Sequence, residues 1–380
     1  MRPMNAVNGN SNSDSDCGGR SIEQNCIQDD NDDDNTMSDT TMAFDDLPRH
    51  IAFICDGNSR WSEQQQRQII QLKLPGLLPS SLAPMSMSTL GHAAGANRVV
   101  RLIDTLLSMR QKHYQQWHQQ QNHPLNGRKE YPVHASIQYC TLFAFSTENW
   151  SRPYQEVAGL FQLLEQMAIH YSNHDIALRE GRVRIQILGD MEDERIPIST
   201  RRELRKLEVK SKLACDDRRR RRRRNANDDT PATTMADIDY GGNLVPRDEV
   251  DEDDDALTIC LAINYGGRAD ILRAATELAL SIIHESSSVT STSSSSDTAL
   301  LLAEAVNEAE ISKRLCTSAL PNVDLIVRTG GERRLSNFLL WEGAYAELYF
   351  TDVFWPDFDE QELEKALVWY GKRNRRYGGR

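Results

Sequence analysis

The sequence predicts an α/β fold in which a six-stranded, mainly parallel sheet is flanked by helices. Two observations support this fold class. Short apolar runs alternate with longer stretches whose apolar residues recur at helical spacing. Several short runs are apolar at nearly every position, as expected of strands that are covered on both faces. Strands that alternate with helices in this way pair in parallel, with helices on both sides of the sheet.

The individual elements follow from these two patterns. Predicted strands lie at residues 51–55, 137–145, 183–188, 257–263, 323–327 and 347–350. Helical spacing occurs at residues 157–167, 269–283, 299–315 and 361–370. Stretches of Gln-rich, Pro-containing, charged or Ser/Thr-rich composition separate them and are predicted as loop-like insertions, at about 64–90, 111–131, 215–256 and 286–297. We expect residues 47–380 to form one domain that carries these insertions.

The formal net charge of −12 belongs to two appendages. Residues 1–46 hold eleven acidic residues against two arginines, which gives −9. Residues 218–255 hold eleven acidic residues against eight arginines, which gives −3, so the rest of the chain is formally neutral. The first 46 residues also have few large apolar groups, and we expect them to form a disordered acidic tail.

Seven consecutive arginines at 218–224 are typical of nucleic-acid-binding or nuclear-import motifs. An acidic block at 251–255 follows on the same predicted flexible loop and is close enough in sequence to neutralise them. We therefore predict no nucleic-acid partner.

Cysteine usage and hydropathy exclude other classes of protein. The seven cysteines are scattered and include no C-x-x-C pair, which favours a reducing compartment and argues against a disulfide framework or a zinc site. No apolar run approaches the roughly 20 residues that cross a bilayer, and the N-terminus lacks a signal-peptide pattern. We expect a soluble, cytoplasmic protein.

The strongest candidate site begins where the first predicted strand ends, at Asp56-Gly57-Asn58-Ser59-Arg60-Trp61. The carboxyl ends of parallel strands are where α/β sheets bind ligands. The glycine permits close approach of a phosphate, and the arginine supplies a permanent charge with bidentate geometry. By itself this segment fits an ordinary Asp-Gly-Asn turn equally well.

Two further strand ends bring polar groups to the same edge of the sheet. One strand ends in Ser146-Thr147-Glu148-Asn149-Trp150-Ser151-Arg152, and another runs into the segment 328–337, which contains Arg328, Arg334 and Ser336. Together these ends predict a site for two anionic groups and a divalent metal. The sequence has no Walker-type P-loop and no G-x-G-x-x-G after a strand, so the phosphates are not expected to belong to a nucleotide.

These segments, in this order, resemble the cis-prenyltransferase family, which includes undecaprenyl and dehydrodolichyl diphosphate synthases. The resemblance rests on the motifs at 50–61, 91–95, 145–153, 264–268, 327–340 and 345–358. It implies the family's six-stranded parallel fold, usually dimeric, and Mg²⁺-dependent addition of isopentenyl diphosphate to an allylic diphosphate with cis double bonds. Peripheral contact with the endoplasmic reticulum membrane, through a lipid product that serves as a dolichol precursor, is a further expectation.

The resemblance also implies roles for individual residues. Asp56 is the metal-linked catalytic carboxylate, His92 and Asn149 lie at the reacting centre, and Glu347 helps to hold magnesium. The residues expected to bind the two diphosphate substrates are Gly57, Asn58, Ser59, Arg60, Trp61, Ser146, Trp150, Arg152, Arg328, Arg334 and Ser336. On local grounds alone, Asn149 fits a helix N-cap equally well, and Trp150 fits core packing better than a substrate wall.

One alternative and one departure from the family pattern stand beside this hypothesis. Some members of the superfamily are non-catalytic partner subunits, which generally lack the first-strand aspartate and the glycine-rich loop that this chain has at Asp56-Gly57-Asn58. The C-terminal Arg376 and Gly378 match an element that completes a neighbouring subunit's site, which predicts a self-sufficient homodimer. The stretch between Trp61 and Gly91 is about three times the family's usual length and lacks its basic residue just before Gly91.

Overall fold

The computed structural model describes residues 47–71, 87–121, 136–226, 256–288 and 306–373. Six strands form one sheet: β1 (His50–Ile54), β2 (Tyr139–Ser146), β3 (Val183–Leu188), β4 (Leu257–Tyr265), β5 (Leu325–Arg328) and β6 (Glu347–Phe350). Their spatial order is β3-β4-β2-β1-β5-β6, and every neighbouring pair is parallel. The predicted fold class is therefore confirmed.

Helices connect these parallel strands in the described part of the chain. They are α1 (Asn58–Gln71), α2 (Met87–Gln121), α3 (Tyr154–His174), α4 (Ile176–Arg179), α5 (Ile198–Ala226), α6 (Gly267–Ser288), α7 (Glu308–Ser312) and α8 (Glu360–Gly371). Short 3₁₀ segments at Thr147–Ser151 and Trp355–Asp357 follow β2 and β6. None of the described helices is long and apolar enough to cross a membrane.

Strand β1 shows why the apolar runs are nearly continuous. Ile51 and Phe53 point into a core cluster on one face of the sheet, together with residues of α2, α3, α5 and α8. Ala52 and Ile54 point to the opposite face, where Phe338 and other apolar residues cover them. Because both faces of the strand are buried, alternation between polar and apolar residues is not required.

The loop-like stretches are shorter than predicted, because helices extend into each of the four segments. Residues 64–71 and 87–90 are helical, α2 continues to Gln121, and α6 continues to Ser288, so the loop prediction is wrong at these positions. Gln and Arg are good helix formers, so a polar composition alone does not distinguish a loop from a solvent-exposed helix. The predicted tail at 1–46 and the helical pattern at 299–305 lie outside the described residues.

The largest correction concerns the arginine run. Residues 218–224 lie on α5, which is helical to Ala226, and not on a flexible loop. The buried face of this helix includes Leu204, Leu207, Ser211 and Cys215, three or four residues apart. Packing along this face carries the helix up to the arginines, which then continue it with residues of high helix propensity.

Candidate active site

Asp56 stands two residues beyond β1, and the neighbouring strand β5 holds its backbone. The Thr329 hydroxyl accepts a hydrogen bond from the Asp56 amide at 3.0 Å and donates one to the Asp56 carbonyl at 2.8 Å. Thr329 is fully buried, directly after the last residue of β5. Pairing of β1 with β5 therefore fixes the position of the Asp56 carboxylate.

The Asp56 carboxylate accepts hydrogen bonds from three groups. Oδ1 accepts from the Gly57 amide at 2.6 Å and from Arg60 Nη2 at 3.2 Å, and Oδ2 accepts from Arg328 Nη2 at 2.8 Å. Burial disfavours the charged form, but the bonds from Arg328 and Gly57 and the charges of both arginines outweigh it, so the pKa of Asp56 is lowered. The group is ionised at neutral pH.

Arg328 is the central cation of the site and is only 4% exposed. Besides its bond to Asp56, its Nη1 donates to the Arg334 carbonyl at 2.5 Å and to Ser336 Oγ at 2.7 Å. Its Nε is buried without a hydrogen-bond partner among the described residues. A buried donor without a partner costs free energy, which is consistent with a ligand that accepts from it.

The first turn of α1 follows Asp56 directly. Gly57 has a φ of +99°, and a side chain there would lie 2.6 Å from Phe354 Cδ1. Helix α2 packs closely on this turn, since Cβ atoms at Gly91 and Gly95 would lie 2.1 Å from the Asn58 carbonyl oxygen and 2.3 Å from Asn58 Oδ1. The glycine pair therefore allows α2 to lie against the N-terminus of α1, where backbone N–H groups favour anions.

The end of β2 brings a second polar group to the same edge. The Ser146 amide donates to Asn149 Oδ1 at 2.9 Å, so the asparagine side chain closes the 3₁₀ segment at Thr147–Ser151. Asn149 is the third residue of this segment, and Ser146 is the residue that precedes it. The alternative that Asn149 is a helix N-cap is therefore wrong.

His92 on α2 faces α3. Its Nε2 lies 3.5 Å from Glu156 Oε1, and the same carboxylate oxygen accepts from Arg152 Nη1 at 2.9 Å. Burial and the nearby charge of Arg152 lower the pKa of His92, against the opposing effect of Glu156. The imidazole is therefore neutral at neutral pH.

A cavity of ≈ 670 Å³ joins these groups. Its mouth is lined by nine of the predicted site residues: Asp56, Asn58, His92, Ser146, Asn149, Arg152, Arg328, Arg334 and Ser336. Its interior is mainly aliphatic and runs between α2, α3, α5 and the sheet, with a lining that includes Val99, Ile103, Leu164, Met167, Leu207 and Ile259. The cavity thus combines a polar, arginine-containing mouth with a long apolar body.

A sequence profile described as putative undecaprenyl diphosphate synthase matches residues 108–219 and 244–378. The chain belongs to the cis-prenyltransferase family. It is 31% identical over 353 residues to the farnesyl-diphosphate-specific ditrans,polycis-undecaprenyl-diphosphate synthase of Escherichia coli K12, covering 90% of this chain and 96% of that protein. The corresponding Pectobacterium atrosepticum enzyme is 31% identical over 346 residues, with the same coverage of both chains.

A solved structure shares the fold of this chain. Lavandulyl diphosphate synthase from Lavandula x intermedia, determined in complex with dimethylallyl diphosphate, superposes with a TM-score of 0.57. It is 21% identical in sequence, and the match covers 88% of this chain and 99% of that one.

Five of the predicted site residues near Asp56 and Asn149 do not line the cavity of this cis-prenyltransferase. Gly57 and Ser59 lie in the turn that shapes its mouth, and Arg60 packs over the Phe354 ring at 5.4 Å while contacting Asp56. Trp61 Nε1 donates to Asp357 Oδ1 at 2.8 Å. Trp150 Nε1 donates to Asn264 Oδ1 at 2.8 Å, and its ring stacks on Phe161. Trp150 therefore lies in core packing in this structure.

Glu347 is a predicted magnesium ligand that lies at the opposite end of the strands from Asp56. It begins β6 and pairs with Leu325 at the start of β5, whereas Asp56 lies beside Arg328 at the end of β5. Within one chain the structure therefore does not bring Glu347 to Asp56, and its role in holding magnesium stays a prediction. Arg376 and Gly378, which were predicted to complete a neighbouring subunit's site, lie outside the described residues.

The side chains at the cavity mouth could bind magnesium only together with oxygen atoms of the substrate. In the described ranges, no group of three or more His, Cys, Asp or Glu side chains could hold a metal ion. Mg²⁺ commonly binds proteins through one or two carboxylates together with substrate phosphates. Asp56, an ionised carboxylate beside arginines, fits this mode.

Sequence reasoning missed two residues that shape the site. Thr329 anchors Asp56, as described above. Asn337, with a φ of +64°, donates to Glu148 Oε1 at 2.8 Å and accepts from the Arg268 amide at 2.9 Å, so it ties the ends of β2 and β4 to the Arg328 segment. Both residues lie in motifs that carry the family resemblance, and that position was the available signal.

Proposed function

We propose that this cis-prenyltransferase is a polyprenyl diphosphate synthase that adds isopentenyl diphosphate units to an allylic diphosphate such as farnesyl diphosphate. The cavity carries the proposal, because it offers cations to diphosphates at its mouth and an aliphatic interior to a growing hydrocarbon. The two bacterial relatives named above are both farnesyl-diphosphate-specific synthases, which supports farnesyl diphosphate as the allylic substrate.

The two diphosphates would occupy different parts of the mouth. The allylic diphosphate fits the first turn of α1, where the amides after Gly57 and the Arg60 guanidinium favour an anion. The second diphosphate fits Arg328, Arg334 and Ser336, which adjoin one another through the hydrogen bonds of Arg328. The buried Arg328 Nε has no partner within the described ranges and can donate to a phosphate oxygen.

The reaction breaks the bond between the allylic C1 carbon and its diphosphate oxygen, and the electron pair leaves with the diphosphate. A new bond joins C1 to C4 of isopentenyl diphosphate, and a proton leaves C2. Mg²⁺ held by Asp56 and the substrate phosphates would stabilise the negative charge of the leaving group. Arg60 and Arg328 add preorganised positive charge there, and the neutral His92 can accept a proton near the mouth.

The finer parts of the proposal concern the product and its setting. A long polyprenyl diphosphate is a precursor of dolichol or a related glycosyl carrier lipid, and such a product favours peripheral contact with a membrane such as the endoplasmic reticulum. We also propose a homodimer, in which Glu347 at the open edge strand β6 and the C-terminal Arg376 and Gly378 would serve the neighbouring subunit.

The alternative function is that of a non-catalytic partner subunit in a heteromeric enzyme. The ionised Asp56 with its three hydrogen bonds argues against it, because a subunit without catalysis has no need to keep a carboxylate within an arginine cluster.

The test is synthesis by the purified full chain alone. With Mg²⁺, farnesyl diphosphate and labelled isopentenyl diphosphate, we expect long polyprenyl diphosphates, separated by reverse-phase chromatography. Asp56→Ala should abolish synthesis while the far-UV circular dichroism spectrum stays unchanged. Glu364→Ala, which removes an exposed carboxylate on α8, is the matched control and should be fully active.

Two outcomes would contradict the proposal. Full activity of Asp56→Ala would remove the catalytic role of the carboxylate. Activity of the wild-type chain only after a second, different chain is added would favour the partner-subunit alternative.

A further inference from the structure

The outer face of α5 carries large apolar side chains that are exposed in the part of the chain that the structure describes. Ile198, Val209 and Leu213 are 76%, 57% and 60% exposed. Val209 and Leu213 are four residues apart and Ile198 lies eleven residues before Val209, so all three point to one side of the helix. The opposite side is the buried one, where Leu204 and Leu207 line the cavity.

The same helix is strongly basic. Between Ile198 and Ala226 it holds thirteen Lys and Arg residues against four Asp and Glu residues, a formal net charge of +9. Exposed cations flank the apolar side chains on the outer face, among them Arg202, Lys206, Lys212 and Arg220. The outer face of α5 therefore mixes aliphatic and positively charged side chains and is not simply polar.

A basic surface cavity adjoins this region on the side of α5 that faces α4. It has a volume of ≈ 370 Å³, and five cations line it: Arg179, Lys210, Arg218, Arg221 and Arg222. Glu180 and Asp217 also line it, so cations predominate. Ile176, the first residue of α4, is 57% exposed close to this region. A cavity of this charge is suited to an anionic headgroup.

We propose that the outer face of α5, together with this basic cavity, binds an anionic lipid bilayer. Aliphatic side chains beside Lys and Arg are the composition that enters the boundary between headgroups and acyl chains. A nucleic acid or the chain's own acidic segment at 228–255 would pair with the arginines, but neither gives Ile198, Val209 and Leu213 an apolar environment. Charge and exposed apolar area together favour the bilayer.

This surface goes beyond the proposed function and would also serve it. Leu204 and Leu207, on the opposite side of α5, line the main cavity that contains Asp56. The outer face of α5 is therefore one helix thickness away from that cavity. A protein that binds a bilayer through α5 would hold the apolar cavity next to the membrane. A hydrocarbon product would then have a short path into lipid.

Vesicle flotation of the full chain, without substrates, tests the proposal independently of catalysis. We expect binding to mixed phosphatidylcholine–phosphatidylserine vesicles, weak binding to phosphatidylcholine alone, and loss of binding as salt rises. The triple variant Arg220→Gln, Arg221→Gln, Arg224→Gln should weaken partitioning by about 100-fold. Val209→Ser with Leu213→Ser should weaken it by about 10-fold.

Matched controls separate this surface from charge in general. Lys313→Gln, Lys365→Gln, Lys372→Gln removes three exposed cations, one within α8 and one directly after each of α7 and α8, and should leave vesicle binding unchanged. The α5 variants should also keep the wild-type unfolding transition. Synthesis measured in detergent reports on the proposed function separately, and failure there would leave the vesicle result intact.

Three outcomes would overturn the proposal. The first is equal binding of wild type and both α5 variants to the mixed vesicles. The second is binding of a transfer RNA at the same salt with no binding to vesicles, which would identify a nucleic-acid surface. The third is vesicle binding only after residues 228–255 are deleted, which would show that the acidic segment covers this face in the intact chain.

Discussion

Arg328 and Asp56 are 272 residues apart in sequence, yet Arg328 Nη2 donates to Asp56 Oδ2 at 2.8 Å. The contact exists because β1 and β5 are neighbours in the sheet and both end at the same edge. It leaves Arg328 Nη1 for Ser336 and the Arg334 carbonyl, and it leaves Nε without a partner in the described part of the chain. One guanidinium thus fixes the carboxylate, orders the next loop and keeps a donor for a ligand.

Arg328→Lys should lower kcat by about 10²–10³-fold, the loss expected when a donor to a developing negative charge is removed. A lysine keeps the charge but cannot form the fork of hydrogen bonds to Asp56, Ser336 and the Arg334 carbonyl. Steady-state kinetics with isopentenyl diphosphate measure the effect. Arg273→Lys, at an exposed arginine on α6 that pairs with the buried Asp270 and with Glu277, is the control and should leave kcat unchanged. Wild-type kcat in Arg328→Lys would contradict this assignment.

Trp150→Phe should lower the free energy of unfolding by about 1–3 kcal/mol and leave KM for both substrates unchanged. The indole donates to Asn264 Oδ1, and Asn264 is only 3% exposed, so the variant leaves a buried acceptor without its partner. Chemical denaturation and kinetics on the same preparation measure the two quantities. Trp341→Phe, which loses a comparable bond to Ser312, is the matched control. A raised KM in Trp150→Phe alone would restore the substrate-contact hypothesis.

His50 should lower the free energy of unfolding as the pH falls into the mildly acidic range. It is fully buried; Nδ1 lies 2.9 Å from the Pro321 carbonyl and Nε2 lies 2.7 Å from Thr141 Oγ1. A neutral ring satisfies both, with Nδ1–H donating to the carbonyl and Nε2 accepting from the hydroxyl. Burial, together with the charge of Arg49, lowers the pKa of His50 to about 4, although the bond to Pro321 opposes this shift.

The sign of the effect follows from that shift. The unfolded chain takes up a proton near pH 6.5 and the folded chain near pH 4, so the stabilisation is complete above pH 6.5 and is lost as pH falls toward 4. The slope is about 1.4 kcal/mol per pH unit within this window. Denaturation at several pH values should show a shallower slope for His50→Gln and an unchanged slope for the exposed control His284→Gln. Equal slopes in wild type and His50→Gln would contradict the prediction.

Much of the fold followed from local patterns in the sequence. Strands such as β3 and β6 begin and end where predicted, because short apolar runs between polar segments leave little freedom in their bounds. The end of α5 did not follow, since an arginine run has high helix propensity and yet the composition of a solvated loop. Strand order, which decides that Asp56 meets Arg328, depends on pairings between distant segments that no local pattern contains.

The candidate site divides in the same way. Arg328 ends a strand and Asn58 begins a helix, and the structure places both at the cavity mouth. Trp150 was assigned to substrate by resemblance, whereas its hydrogen bond to Asn264 arises from a contact across 114 residues. Glu347 shows a further limit, because the role proposed for it at a neighbouring subunit's site would leave no local signal in its own chain.

Asp104→Leu should lengthen the polyprenyl products. Asp104, Tyr171 and Asp175 line both the far end of the main cavity and a second cavity of ≈ 540 Å³, which His170, His174 and Arg182 also line. Burial and the neighbouring Asp175 raise the pKa of Asp104, against the opposing charge of Arg182. An acidic group at this junction disfavours entry of a hydrocarbon, so the growing chain should stop before the second cavity.

Reverse-phase sizing of the products measures this effect and depends on the proposed function. Leucine has the same branching and number of side-chain heavy atoms as aspartate and replaces the polar group with an aliphatic one, so the product distribution should shift to longer chains. Asp104→Asn removes the charge but keeps a polar group, and its shift should be smaller. Wild-type product lengths in Asp104→Leu would contradict the prediction. The growing hydrocarbon would then end before it reaches position 104 of α2, and another part of the cavity would set its length.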